Sequence, residues 1–152
     1  MKKLIALMML LVCLPVMAET SYTFNPLGLK LTVPDTMVEE DISDAEDEDL
    51  ALMLLSEDES LLLTVYLADA DGVTVQDVQA ELAGEEGVTS SGITVINGIE
   101  TYFMVGRDDD GDDYVAYLCV NNDQLAEFTF YFAGDAAAAV SGEIMGTLCA
   151  AE

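Results

Sequence analysis

The sequence has no histidine and no tryptophan, and only four of its 152 residues are lysine or arginine. Each shortage closes off chemistry. Without histidine there is no Ser-His or Cys-His nucleophile pair and no histidine-bearing zinc site. With so few bases, and no glycine-rich loop opening a helix, the chain lacks both cradle and cation for nucleotide phosphates. The same poverty of cations argues against nucleic acid and anionic lipid as partners, since their phosphates must be neutralised by Lys and Arg. Cysteine is scarce as well: Cys13, Cys119 and Cys149 are all there is. Cys119 and Cys149 alone could not complete a zinc tetrahedron without two carboxylates.

Long apolar runs are limited to one. The segment 1–18, MKKLIALMMLLVCLPVMA, sets Lys2 and Lys3 ahead of an apolar run over 4–16, with Val16 and Ala18 at the −3 and −1 positions of a cleavage site. This is the pattern of a secretory signal, and a run of that length, interrupted by Pro15, falls short of the ~20 residues needed to span a bilayer. A lipoprotein signal would place a small residue before Cys13, where Val12 stands. Cleavage is expected after Ala18. It leaves a single domain over 19–152, extracytoplasmic, secreted or associated with the cell surface, with no membrane insertion after cleavage.

What is abundant is acid. All thirty Asp and Glu lie in 19–152 and only Lys30 and Arg107 remain of the bases, so the formal charge there is 2 − 30 = −28, against −26 for the whole chain. Such a charge favours water, dissolved cations or a basic surface on a partner. The two cysteines left after processing invite a Cys119–Cys149 disulfide in an exported chain, and their apolar neighbours equally suit buried free thiols. The sequence leaves both open.

Periodicity supplies the fold class. SYTFNPLGLKLTVPD alternates as a strand pair broken at Asn25–Pro26. The acidic run 38–49 follows, read as a solvated loop or frayed turn with Val38 and Ile42 as its apolar anchors. Strands over 50–55 and 61–67 flank the turn SEDES as a hairpin. Thr74 and Asp77 match a helix-capping box, and Val75, Val78 and Leu82 share one face of a helix of about ten residues that Gly84 ends. Asn97–Gly98 predicts a type I′ turn between apolar strand ends. ETYFMVG, DYVAYLCV and AEFTFYF are strands, the last putting Phe128, Phe130 and Phe132 on a core face. A terminal helix over 135–149, capped by Asp135, carries Val140, Ile144 and Leu148. The sum is an α+β domain on a mostly antiparallel sheet with helices packed on it.

The phrases YTFNPLGLKLTVPD, VINGIETYFM, LAEFTFYFAG and EIMGTL, spread over nearly all of 19–152, resemble the PsbP-like family. Its members include a photosystem II extrinsic subunit, a Ran-binding nuclear import protein and exported bacterial proteins. The resemblance implies an α/β/α sandwich and a role in binding or assembly, with no shared catalytic set to carry over. This chain departs from the family in its acidity, and in Met37, where the phrase after Pro34–Asp35 often places a tryptophan.

One stretch asks for its own chemistry. GRDDDGDDY, over 106–114, gathers five aspartates around Gly111, and calcium needs only hard oxygen ligands. An EF-hand loop with Gly111 in sixth place would put its first ligand at Gly106 and its twelfth at Tyr117, neither of which supplies a carboxylate. A looser site would use Asp108, Asp110 and Asp112. The preferred reading is a solvated hairpin tip, because Asp and Gly tolerate turn conformations. Paired carboxylates can hydrolyse glycosides, yet thirty acids bring some pair within about 5–9 Å by chance, so no enzymatic activity is expected. The sequence therefore reads as an exported, non-catalytic binding or assembly module for an unknown protein or cationic surface, steered by acidic loops 39–49 and 108–113 at one end of the sheet. The alternatives are a carboxylate-dependent glycan hydrolase and a weak calcium-binding surface protein; no other cofactor is expected.

Overall fold

The computed structural model describes residues 18–152. The signal segment, apart from Ala18, and Cys13 lie outside the described residues. In chain order the elements are β1 (Glu19–Phe24), β2 (Leu29–Pro34), β3 (Met37–Glu39), β4 (Leu50–Ser56), β5 (Leu61–Asp69), α1 (Val75–Leu82), β6 (Val88–Ile96), β7 (Ile99–Arg107), β8 (Asp113–Asn121), β9 (Gln124–Phe132), α2 (Asp135–Met145) and β10 (Cys149–Ala150). They make two sheets, β1-β2-β10 and β3-β4-β5-β9-β8-β7-β6, and every strand pairing is antiparallel.

Local chemistry explains most boundaries. Asn97 and Gly98, at φ 48° and 84°, turn β6 into β7 with Ile96 paired to Ile99, as the I′ geometry requires. Asn122 and Asp123, at φ 51° and 57°, do the same between β8 and β9. At α1 the Thr74 hydroxyl accepts from the Asp77 amide at 3.2 Å while the Asp77 carboxylate accepts from the Thr74 amide at 2.9 Å, a complete capping box. The SEDES turn is closed by Asp58, whose Oδ1 accepts from the Ser56 hydroxyl, the Ser60 hydroxyl and the Ser60 amide. These donors hold the Asp58 carboxyl at about 2.

The terminal helix differs from its sequence reading. Gly134 stands at the N-cap with φ 93° and no side-chain cap, so Asp135 is the first helical residue and not the cap. The helix stops at Met145, and Cys149–Ala150 pairs with β2 instead. The reason is competition from β2: Gly146 is a poor helix former, and the Thr147 hydroxyl accepts from the Thr32 amide at 2.9 Å, drawing the chain onto that strand.

The core lies between the two sheets. Phe24, Leu29, Leu31 and Val33 meet Leu54, Leu63, Val65, Phe128 and Phe130, and α2 adds Ala137, Ile144 and Met145. A second, smaller cluster sits on the other face of the large sheet, where Val75 and Val78 of α1 pack on Tyr102, Met104, Ala116 and Leu118. The layers are thus α1, the seven-stranded sheet, and the small sheet together with α2. The expected α/β/α sandwich is modified: one outer layer is mixed sheet and helix, and the other is a single short helix.

Candidate functional site

Side chains alternate across a strand, so the α1 face of the large sheet can be followed from strand to strand. In β8 it carries Tyr114, Ala116, Leu118 and Val120; across the register lie Tyr131, Thr129, Glu127 and Leu125 of β9, and then Leu62, Thr64, Tyr66 and Ala68 of β5. The helix α1 lies against β6, β7 and β8. Beyond it, over β9, β5 and β4, no helix or strand among the described residues covers the face; Met53, Leu55, Leu62, Tyr66, Ala68, Leu125, Glu127 and Tyr131 are half-buried there, with Thr64 and Thr129 buried between them.

A cleft of about 420 Å³ opens on this bare half, lined by Asp47, Asp49, Tyr66, Ala68, Leu125, Glu127 and Tyr131. Tyr66 stands directly across from Glu127. Tyr131 stands across from Tyr114, their ring centres 6.2 Å apart at 49°. The Thr129 hydroxyl donates to Glu127 Oε1 at 2.8 Å, which fixes the carboxylate on the sheet. Burial raises the phenol pKa of Tyr66, and the charges of Asp47 and Glu127 raise it further. Tyr131 is raised by burial and then by Asp108 and Glu127, and Tyr114 by burial and then by Glu85, Asp108 and Glu127. The phenols therefore stay neutral donors in a field of negative charge.

The acidic loops frame this face differently from the expectation. Loop 40–49 enters β4 beside Tyr66, at the end where β5 stops and β9 starts. Loop 108–112 enters β8 at the opposite end, where Asp113 pairs with Phe132. They do not share one end of the sheet; they stand at its two ends. Nor is loop 40–49 a loose tether. Asp41 Oδ1 accepts from the Ser43 amide, Asp47 Oδ1 from the Asp49 amide, and the Asp49 carbonyl from the Leu67 amide at 2.9 Å. The last bond sets Asp47 and Asp49 at the rim of the cleft. Met37, not Val38, is the buried anchor before this loop, Val38 being 47% exposed.

In the other loop, Asp108 Oδ1 accepts from the amides of Asp110 and Asp112 at 3.1 and 2.8 Å, and the Asp112 carbonyl accepts from the Asp108 amide. Arg107 and Asp113 close its base as an exposed ion pair at 2.9 Å, of the kind that contributes little. Asp108, Asp110 and Asp112 share one tip, and among the described residues no group of three acidic or cysteine side chains is disposed to hold a metal ion. Cys119 and Cys149 are free thiols, Cys119 buried in β8 and Cys149 half-buried in β10. Burial raises the Cys119 thiol to about 12.

Sequence reasoning missed Tyr66, Glu127 and Tyr131. A signal was present: Glu127 is a charge inside a strand whose alternate residues are phenylalanines, so the set Glu127, Thr129, Tyr131 marks a second, more polar face.

Two antiparallel sheets packed face to face, with one helix on the far side of the larger, define an α+β architecture whose bare sheet half is its open surface. No protein-family model matches the sequence, and no curated protein is similar to it in sequence. Solved structures do share the fold. The cyanobacterial PsbP, CyanoP, of Synechocystis sp. PCC 6803 superposes with a TM-score of 0.64 at 13% identity, over 91% of this chain and 95% of that one. LpqN of Mycobacterium tuberculosis, described as involved in cell envelope biogenesis, gives 0.54 at 13% identity over 90% and 92%. The Ran-binding protein Mog1p of Saccharomyces cerevisiae gives 0.52 at 11% identity over 90% and 97%. The chain has the PsbP-like fold. Among the described residues no helix is long and apolar enough to cross a membrane.

Proposed function

We propose that the chain is an exported, non-catalytic binding module that captures a basic protein segment on the bare half of its large sheet. The observation that carries this reading is the juxtaposition of Tyr66, Tyr131 and Glu127 on an uncovered sheet face with acidic loops at both ends. Aromatic faces attract Lys and Arg by about 0.5–2 kcal/mol each, a carboxylate beside them supplies the charge-assisted hydrogen bond, and the apolar positions Met53, Leu55, Leu62 and Leu125 supply area. The loops supply attraction at a distance and speed encounter. Loop 108–112 is in this reading a solvated tip, since Asp108 is engaged in holding its own turn.

The solved structures of like fold support a role in binding: one is a Ran-binding protein. Against glycan hydrolysis stands the setting of the carboxylates, with Glu127 on the sheet and Asp47 and Asp49 on the loop, along a face open to solvent. The test is titration with an arginine- and lysine-rich peptide, followed by tyrosine fluorescence. Glu127→Gln together with Tyr66→Ala should weaken binding about tenfold or more at physiological salt, while Asp110→Asn with Asp112→Asn should weaken it only slightly. Equal losses from both pairs would mean that charge alone is recognised and would sink the reading.

A further inference from the structure

The large sheet ends on two edges of contrasting character. Edge strand β3 is three residues long and carries Glu39, the short and charged form that natural sheets use to prevent strand addition. Edge strand β6, VTSSGITVI, is nine residues long and carries neither charge nor proline. It belongs to the stretch 87–99, thirteen residues without a charge in a chain with thirty acids. Val95, in the middle of its outer half, is 64% exposed, more than Val38 or Val73, the other exposed large hydrophobics among the described residues.

The register says which backbone groups this edge offers. Ile96 and Ile99 flank a two-residue turn and are therefore a hydrogen-bonded pair, so by antiparallel alternation Thr94 and Gly92 also bond inward to Thr101 and Phe103. The amides and carbonyls of Ser91, Ile93 and Val95 then point away from the sheet. Gly92 leaves the strand flat there, with the Phe103 ring lying across it, 3.4 Å from where a Cβ would stand.

We infer that β6 is an association edge and that its occupant is a second copy of this chain, paired antiparallel about a two-fold axis at Ile93. Charge selects the occupant. Copies of so acidic a protein repel wherever acid faces acid, and β6 is the long edge without any. The two-fold register sets Ile93 against Ile93 of the other copy, Ser91 against Val95 and Ser90 against Ile96, the regular part of β6 between its bulge at Val88–Ser90 and its turn. No pair contains an acid, and Glu85 and Glu86 fall beyond the turn of the facing copy. Each of Ser91, Ile93 and Val95 gains main-chain hydrogen bonds, as strand addition does generally, and the interface is isologous, as two-fold dimers are. Val95 stands directly across from the charged Glu100 of β7, so the edge and not an apolar face carries the association.

This dimer has a signature opposite to that of a basic partner: screening relieves repulsion between like copies, so salt strengthens it. Sedimentation of the purified protein from about 0.01 to 1 mM, in salt from about 0.05 to 0.5 M, should show the mass doubling at high concentration and high salt. Backbone amide exchange at Ser91, Ile93 and Val95 should slow with protein concentration, while Gly92 and Thr94 stay unchanged. Ser91→Glu with Val95→Glu places acid against acid twice and should leave a folded monomer, its folding checked by thermal melting. Ser91→Glu with Val95→Lys makes two cross-strand ion pairs in the same register and should dimerise again. A wild type that remains monomeric throughout would overturn the proposal and leave the edge to a strand from another protein. So would a dimer that the double glutamate leaves intact, or one that the Glu/Lys pair fails to restore.

Discussion

Cys119 shows what a single residue's surroundings decide. Its thiol is buried between apolar strands, and that burial lifts its pKa from 9.0 to about 12. A thiol so protonated is inert, and of Cys119 and Cys149 alkylation of the native protein should modify Cys149, with Cys119 reacting only on unfolding. The same shift ties stability to pH. The folded thiol holds its proton more strongly than the unfolded one, so its contribution is complete below pH 9 and is lost as pH rises towards 12. Urea unfolding between pH 9 and 10 should show falling stability in the wild type and a flatter profile in Cys119→Ala. The sequence could not separate the disulfide from two thiols, because pairing depends on the approach of two strands in different sheets, which spacing does not encode. Glu127 was hidden for another reason: its phenylalanine neighbours drew attention to the core face, and the opposite face of a strand shows its purpose only when its neighbours are known.

At the scale of elements, the turns were legible and the ends of helices less so. Asn97–Gly98 and the Thr74–Asp77 box were readable because their chemistry is local, each satisfied within a few residues. The end of α2 was not, since it turns on the bond between Thr147 and Thr32, 115 residues apart. Loop 108–112 returns to local chemistry. Its leading carboxylate already accepts two amides of its own turn, and ordered turns of this kind need no ion. Thermal melting in calcium and in magnesium at equal ionic strength should therefore give equal shifts, unchanged by Asp110→Asn with Asp112→Asn. A saturable rise with calcium alone would make the tip an ion site.

The whole molecule is where sequence reading ran out first. The two acidic loops stand at opposite ends of the sheet because α1 carries the chain from the end where β5 stops to the end where β6 starts. Had β5 and β6 met in a hairpin, strand parity would have brought both loops to one end. The helix was readable at 74–84, but the end to which it delivers the chain is set by its packing on Tyr102, Met104 and Leu118. That crossing produces the proposed binding face: α1 covers only its own half, and among the described residues the other half is left bare between two negative rims. This bare half is the surface proposed to recognise a basic segment. The most direct test is to map amide and tyrosine-ring NMR shifts as an arginine- and lysine-rich peptide is added at physiological salt. Saturable shifts gathered at Tyr66, Leu125, Glu127 and Tyr131 are predicted; shifts confined to loops 40–49 and 108–112, with the sheet face silent, would rule out recognition by that face.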